Sequence, residues 1–322
     1  MAKLMMKGNE AMALAALKGG CKAFFGYPIT PQSELPEYLS RYMRDYGGVF
    51  LQAESEIAAI NMAIGASYAG AKAMTATSGG GFCLMAEGLG LAAMTETPIV
   101  VLDGMRPGPS TGLPTRTSQG DLEFVLSASH DEFPRFVFAP RDPQDAIDTM
   151  IRAFNLSDRF QVPVIILSDQ YLADSSWTFS QMKMNEQPQK IQTVIGDHSY
   201  RRYALTDSGI SPRALPGMSE ALVVADSDEH DEIGHLTEDL NQRVQMHQKR
   251  MKKIEKMKKE TQPPVHIVGQ TATIIGWGST YGVLFEAREK LAKLGIEAGL
   301  LHFNDIYPLS TDTLTILKSV PK

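Results

Sequence analysis

Cysteine is nearly absent from this 322-residue sequence: Cys21 and Cys83 are the only two, and they are far apart with no CxxC spacing. A disulfide framework, a cysteine-rich zinc site and an iron–sulfur cluster are therefore excluded as products of this chain's own ligands. Basic excess is missing too. With 37 acids against 31 Lys and Arg, the formal charge is −6, which argues against a general DNA or RNA surface. Long hydrophobic runs are also missing, and none approaches the ~20 residues of a membrane span. The apolar N-terminal segment is interrupted by Glu10, with Asn9 placed as an N-cap and Gly19-Gly20 as a stop. It predicts an ordinary helix and not a signal peptide, hence a cytoplasmic protein.

What is present is enough apolar material, 43% of the chain, to give about two domains their own cores. KAFFGY from residue 22, GVFLQ from 48, KAMTATS from 72, PIVVLDG from 98, RFVFAP from 135 and VPVIILSD from 162 read as short buried strands. Small-residue helices such as EIAAINMAIGASYAG from residue 56 lie between them. This alternation predicts an α/β fold with a mostly parallel sheet covered on both faces, over residues 1–180. Residues 181–262 read as an irregular linker followed by one long solvated helix from residue 226, acidic first and basic last in accord with the helix dipole. Residues 263–322 read as a second, smaller α/β domain that stops before a doubly wound unit would be complete.

Ligands of such sheets bind beyond the carboxyl ends of the strands, so the turns there are the candidate sites. Four stand out. Tyr27-Pro28-Ile29-Thr30-Pro31 is rigid, because proline fixes φ and removes a donor. Gln52-Ala53-Glu54-Ser55-Glu56 ends a strand in two carboxylates; positions two apart on a helix diverge, so at most one enters a shared pocket. Taken alone, both acids fit the ordinary preference for the first helical turn. The glycine turn Ser78-Gly79-Gly80-Gly81 matches neither nucleotide-binding glycine motif, and is weak evidence by itself. Finally, GMRPGPSTGLPTRTSQGD over residues 104–121 is long for a structureless loop and carries Arg106 and Arg116, suited to holding a carboxylate.

Together, YPITP, QAESE, TATSGGG, MTETPIVV and RPGPSTGLPTRTSQGDL resemble the alpha subunits of the 2-oxoacid:ferredoxin oxidoreductases, nearest in pattern to the 2-oxoglutarate type. The resemblance implies a thiamine diphosphate enzyme in which this chain supplies the pyrimidine-binding domain, with a smaller transketolase C-terminal-like domain behind it. By that match Glu56, and not Glu54, hydrogen-bonds the aminopyrimidine ring. Tyr27, Pro28, Ile29, Thr30, Ser78, Gly79 and Gly80 line the coenzyme, Thr30 offers a hydroxyl to the oxoacid, and Arg116 holds its carboxylate. Arg106 and His130 are further candidates for a distal carboxylate. Many family members have Gly-Pro-Gly where this chain has Gly79-Gly80-Gly81.

The diphosphate and magnesium motif of thiamine enzymes, GDG followed by an Asn-rich turn, is absent; the nearest string is GDH at residues 196–198. The resemblance thus places Mg²⁺ and the iron–sulfur cluster on a beta-type partner subunit, with ferredoxin as electron acceptor and 2-oxoglutarate and coenzyme A as substrates. A branched-chain oxoacid enzyme and a non-catalytic α/β ligand-binding module stand as alternatives. The string DEHDEIGH from residue 228 and the basic run KRMKKIEKMKK from 249 read as solvated helix faces and not as metal or anion sites.

Overall fold

The computed structural model describes residues 4–179 and 183–320. Among them, seven strands form one sheet in the order Asp305–Tyr307, Phe136–Phe138, Pro163–Asp169, Ile99–Met105, Ala73–Thr77, Ala23–Gly26 and Val49–Gln52. Every neighbouring pair is parallel except the first, where Asp305–Tyr307 runs against Phe136–Phe138. The six apolar runs read from the sequence all appear here. One differs from the expected burial: Val49–Gln52 is the sheet edge, and Val49 and Leu51 are exposed.

Alternation along each strand sends side chains to two cores. Helices Gly8–Lys18, Glu34–Tyr42 and Pro143–Phe160 cover one face around Phe24, Phe136 and Phe138. Helices Glu56–Tyr68, Gly79–Leu84 and Ala86–Met94 cover the other around Phe82, Ile60 and Val101. Each fully buried large side chain contributes ~1.5–3 kcal/mol relative to exposure.

Three sequence expectations are corrected. Asn9 is not a cap: the first helix starts at Gly8, and the Asn9 amide lies inside it, donating to Pro31 O (2.8 Å) and Glu34 Oε2 (3.1 Å). Glycine is required at that first position by contact, since a Cβ there would sit 2.0 Å from Leu172 O. Residues 226–239 are not helical; the helix runs only over Leu240–Met257. The Asp231 carboxylate accepts from the amides of Ile233, Gly234 and His235, and this local turn outcompetes a helix until Asp239 caps Gln242 N. Nor is that helix solvated all round: Lys249, Arg250 and Lys253 are buried. The ammonium of Lys249 pairs with Glu96, and that of Lys253 lies 2.6 Å from Glu96 Oε2, off the line of a hydrogen bond.

The described part of the irregular stretch, residues 183–239, is strapped to the domain it follows. Gln187 O accepts from Asn155, Gln161 donates to Ser211 O, and Arg202 donates to Glu96 O. Strands Val265–Ile267, Ala298–Phe303 and Ala272–Trp277 form a separate three-stranded sheet with helix Tyr281–Lys293 against it. Among the described residues no helix is long and apolar enough to cross a membrane.

Candidate functional site

Strands Val49–Gln52, Ala23–Gly26, Ala73–Thr77 and Ile99–Met105 are consecutive in the sheet, so the four turns at their carboxyl ends fall side by side. They enclose a cavity of about 520 Å³ lined by Ile29, Glu56, Gly79, Gly80, Gly81, Cys83, Leu84, Arg106, Asp121, Phe124 and the loop 108–111. Glu56 reaches it because extended Ser55 caps the helix, its Oγ accepting from Ala58 N at 3.2 Å. That puts Glu56 in the first helical position, 5% exposed, while Glu54 faces solvent. No protein donor takes up the Glu56 carboxyl among the described residues.

The glycine turn supplies room. A Cβ on Gly81 would lie 2.5 Å from Glu56 Oε1 and 2.1 Å from Thr77 Oγ1, and one on Gly79 2.7 Å from Asp121 Oδ2. A side chain at either position would push those groups aside, and glycine brings the backbone against the carboxyls. Below the turn the Ser78 hydroxyl is buried without a partner. The 106–121 loop turns back on itself, Leu113 N donating to Pro107 O at 3.0 Å. Gly112 has φ +55° and no space for a side chain against Pro107 O.

Of the residues singled out from the sequence, Ile29, Glu56, Gly79, Gly80 and Arg106 line the cavity. Thr30 stands beside it, its carbonyl accepting from Arg106 Nη1 at 2.9 Å. Tyr27 and Pro28 are exposed at the outer end of the same turn. Arg116 is exposed and does not line the cavity; among the described residues its guanidinium donates only to Thr115 O. His130 is exposed in a different cleft with Glu87 and Arg243. The DEHDEIGH string is not a solvated face at His230, which is buried with its ring tilted against Tyr203, centroids 4.0 Å apart.

Sequence reading passed over three groups here. Asp103 is fully buried at the end of an otherwise apolar strand, and Asp121 lies against the glycine turn. Burial and the Asp121 charge push the Asp103 carboxyl well above the usual range, and burial also raises Asp121 against the pull of Arg106. The third is Cys83, whose thiol is pushed up by burial and by both aspartates. A single carboxylate within IVVLDGM was the available signal, because an ionisable group in a buried strand demands a reason.

An unpartnered carboxyl beside backbone exposed by glycine, next to apolar Ile29 and Leu84, suits an aminopyrimidine: a flat ring with donors and acceptors on its edge. Fold and site together define an α/β protein of the thiamine diphosphate-binding class. The family model described as pyruvate flavodoxin/ferredoxin oxidoreductase, thiamine diphosphate-binding, matches residues 14–251. The chain belongs to this family, as one of its alpha-subunit members. It is 42% identical over 309 residues to 2-oxoacid:ferredoxin oxidoreductase 1 subunit alpha of Sulfurisphaera tokodaii, covering 89% of this chain and 49% of that one. It is 36% identical over 311 residues to the 2-oxoglutarate synthase subunit KorA of Archaeoglobus fulgidus, covering 96% and 83%. The structure of 2-oxoglutarate:ferredoxin oxidoreductase from Magnetococcus marinus, with 2-oxoglutarate, coenzyme A and succinyl-CoA bound, superposes with TM-score 0.93. That match has 37% identity over 99% of this chain and 57% of that one. An inactive split-gene transketolase tetramer shares the fold alone, at TM-score 0.51 and 12% identity. The chain spans about half the length of the Sulfurisphaera alpha subunit it matches.

Proposed function

We propose that this chain is the pyrimidine-binding alpha subunit of a cytoplasmic 2-oxoglutarate:ferredoxin oxidoreductase, converting 2-oxoglutarate and coenzyme A to succinyl-CoA and carbon dioxide with electrons passed to ferredoxin. The observation that carries this reading is the buried, donor-free Glu56 carboxyl at a glycine-walled cavity, in a chain whose relatives bear these names. Thiamine diphosphate, when bound, supplies the electron sink for decarboxylation. Glu56 shares a proton with a ring nitrogen of its pyrimidine, and the apolar wall around it keeps that proton from water. Ile29, Ser78, Gly79 and Gly80 shape the cavity, with Tyr27 and Pro28 as its outer lip. Thr30 receives the oxoacid. Arg116, at the tip of the exposed loop, takes the substrate carboxylate in the assembled enzyme, and Arg106 fixes the Thr30 turn from behind.

Two widely separated cysteines and the lack of a GDG motif support placing Mg²⁺ and the iron–sulfur cluster on a beta-type partner. The test is to co-purify the chain with that partner, measure bound thiamine and iron, and follow coenzyme A-dependent viologen reduction. Turnover with 2-oxoglutarate well above 2-oxoisovalerate is expected, with none from this chain alone. Preference for 2-oxoisovalerate overturns the substrate; a complex without thiamine overturns the reading.

A further inference from the structure

Asp103 sits on the central strand Ile99–Met105, between Thr77 on one side and Leu167 on the other, with no exposure. Strand alternation puts it on the face of Ile99, Val101 and Met105, under the helix that starts at the glycine turn. Among the described residues no N–H or O–H donor of another residue reaches either of its oxygens or the buried Asp121 Oδ2, so only a carboxyl proton is left to join them. The two side chains are within hydrogen-bonding reach of each other. Two carboxyls at that separation in a buried place cannot both be ionised, since each desolvated charge raises the cost of the other.

We propose that Asp103 and Asp121 share one proton, and that this shared proton pins the returning end of the 106–121 loop onto the glycine turn. Asp103 holds the proton, being the more buried, and donates to Asp121. Asp121 then abuts Gly79, whose lack of a side chain leaves it room. Asp103 is thus a positioning residue: it touches no ligand, and acts through Asp121 on the wall that carries Ser110 and Thr111 into the cavity. Among the described residues the charged and titratable groups around the pair are Arg106 and Cys83, with Glu56 lining the same cavity as Asp121. Arg106 ties the same assembly to the Thr30 turn through its hydrogen bond to Thr30 O. Its buried Nε has no partner, leaving it free to favour the anionic Asp121. The Cys83 thiol, held protonated by burial and the two carboxyls, adds no charge near neutrality.

The pH dependence has a definite sign. A carboxyl whose folded titration lies above its unfolded one binds its proton more tightly when folded. The folded state therefore loses stability as pH rises from the ordinary carboxylate range through the folded value. Deprotonation leaves two adjacent buried anions, and the loop is released. Asparagine at 103 mimics the protonated acid and donates at every pH.

The proton itself is independent of the proposed function; only the effect on oxoacid binding rests on that reading. The infrared spectrum of the full chain near neutral pH is expected to contain a protonated-carboxyl band that Asp103→Asn removes. Exposed Arg116 reports loop release: tryptic cleavage there, taken relative to cleavage of an unstructured peptide at the same pH, accelerates with pH in the wild type and stays flat in Asp103→Asn. In the assembled complex Asp103→Leu raises KM for the oxoacid about tenfold at neutral pH, the scale of one charge-assisted hydrogen bond, with kcat changed less. Asp103→Asn restores KM and loses its alkaline rise. Absence of the band, or a wild-type pH profile of cleavage in Asp103→Asn, overturns the proposal, as does a band abolished by Mg²⁺, which would mean the pair holds a cation. A band present in a chain whose complex ignores 2-oxoglutarate retains the shared proton and sinks the enzymatic reading.

Discussion

Two buried charged regions of the molecule are built in opposite ways. At Glu96 the charge is matched: Lys249 and Lys253 approach the carboxyl, and Arg202 adds its charge while donating to the same residue's carbonyl. Burial alone would raise Glu96, yet these cations hold it far below the ordinary carboxylate range. At the cavity the balance fails. Among the described residues Glu56 has no protein donor, Asp103 and Asp121 face each other, and Ser78 is unsatisfied. A folded chain leaves buried polar groups unpaired at a cost of about 1–3 kcal/mol each, so such a cluster marks a place where something else completes the set. The matched cluster holds the straps of residues 183–257 to the domain. The unmatched one reads as chemistry.

Breaking each side should have different consequences. Glu56→Gln is expected to lower oxidative decarboxylation in the assembled enzyme by about 10²–10⁴-fold with the unfolding midpoint unmoved, whereas Glu54→Gln stays near wild type. Equal losses from both would dissolve the distinction. Glu96→Gln does the reverse: it strands two buried ammonium groups and should cost ~3–5 kcal/mol in urea unfolding, with thiamine content of the surviving folded complex unchanged.

The pH profile sharpens the same contrast. Glu96 has a depressed folded titration, so its contribution is present above the unfolded carboxylate range and is lost as pH falls through the folded value. Acid scans should therefore show a steeper stability loss for wild type than for Glu96→Gln. The smallest expected effect is on thiols. Cys21 is fully buried with its thiol pushed up to about 12, while Cys83 is exposed at the cavity. Mild alkylation should label Cys83 alone, slowly because its thiol is also raised, and thiamine diphosphate in the complex should slow it further.

Much of this was legible in one dimension. The strand runs from residues 22 to 169 were visible because fully buried parallel strands are continuously apolar, and the turns beyond them because proline and glycine punctuate backbone. The burial of Glu56 over Glu54 was visible only as a divergence of direction. Other features were hidden for a physical reason: their partners are remote in sequence. The basic run at residue 249 looked solvated because its counter-charge, Glu96, is 153 residues away. Asp231 ended the expected helix through side-chain to backbone bonds that periodicity does not register. Asp103 passed unnoticed because its significance lies in Asp121, across the loop.

The sequence by itself determined the alternation, the strands, the punctuated turns and the poverty in metal-binding cysteine, since these depend on local backbone preference and on side-chain type. Only the tertiary structure decided which charges are neutralised and which are left waiting. It decided, too, that four turns far apart in the chain share one cavity, and that Arg116 lies outside it in this chain. Neutralisation depends on distance and burial, and both are set by the packing of segments that the chain brings together only when folded.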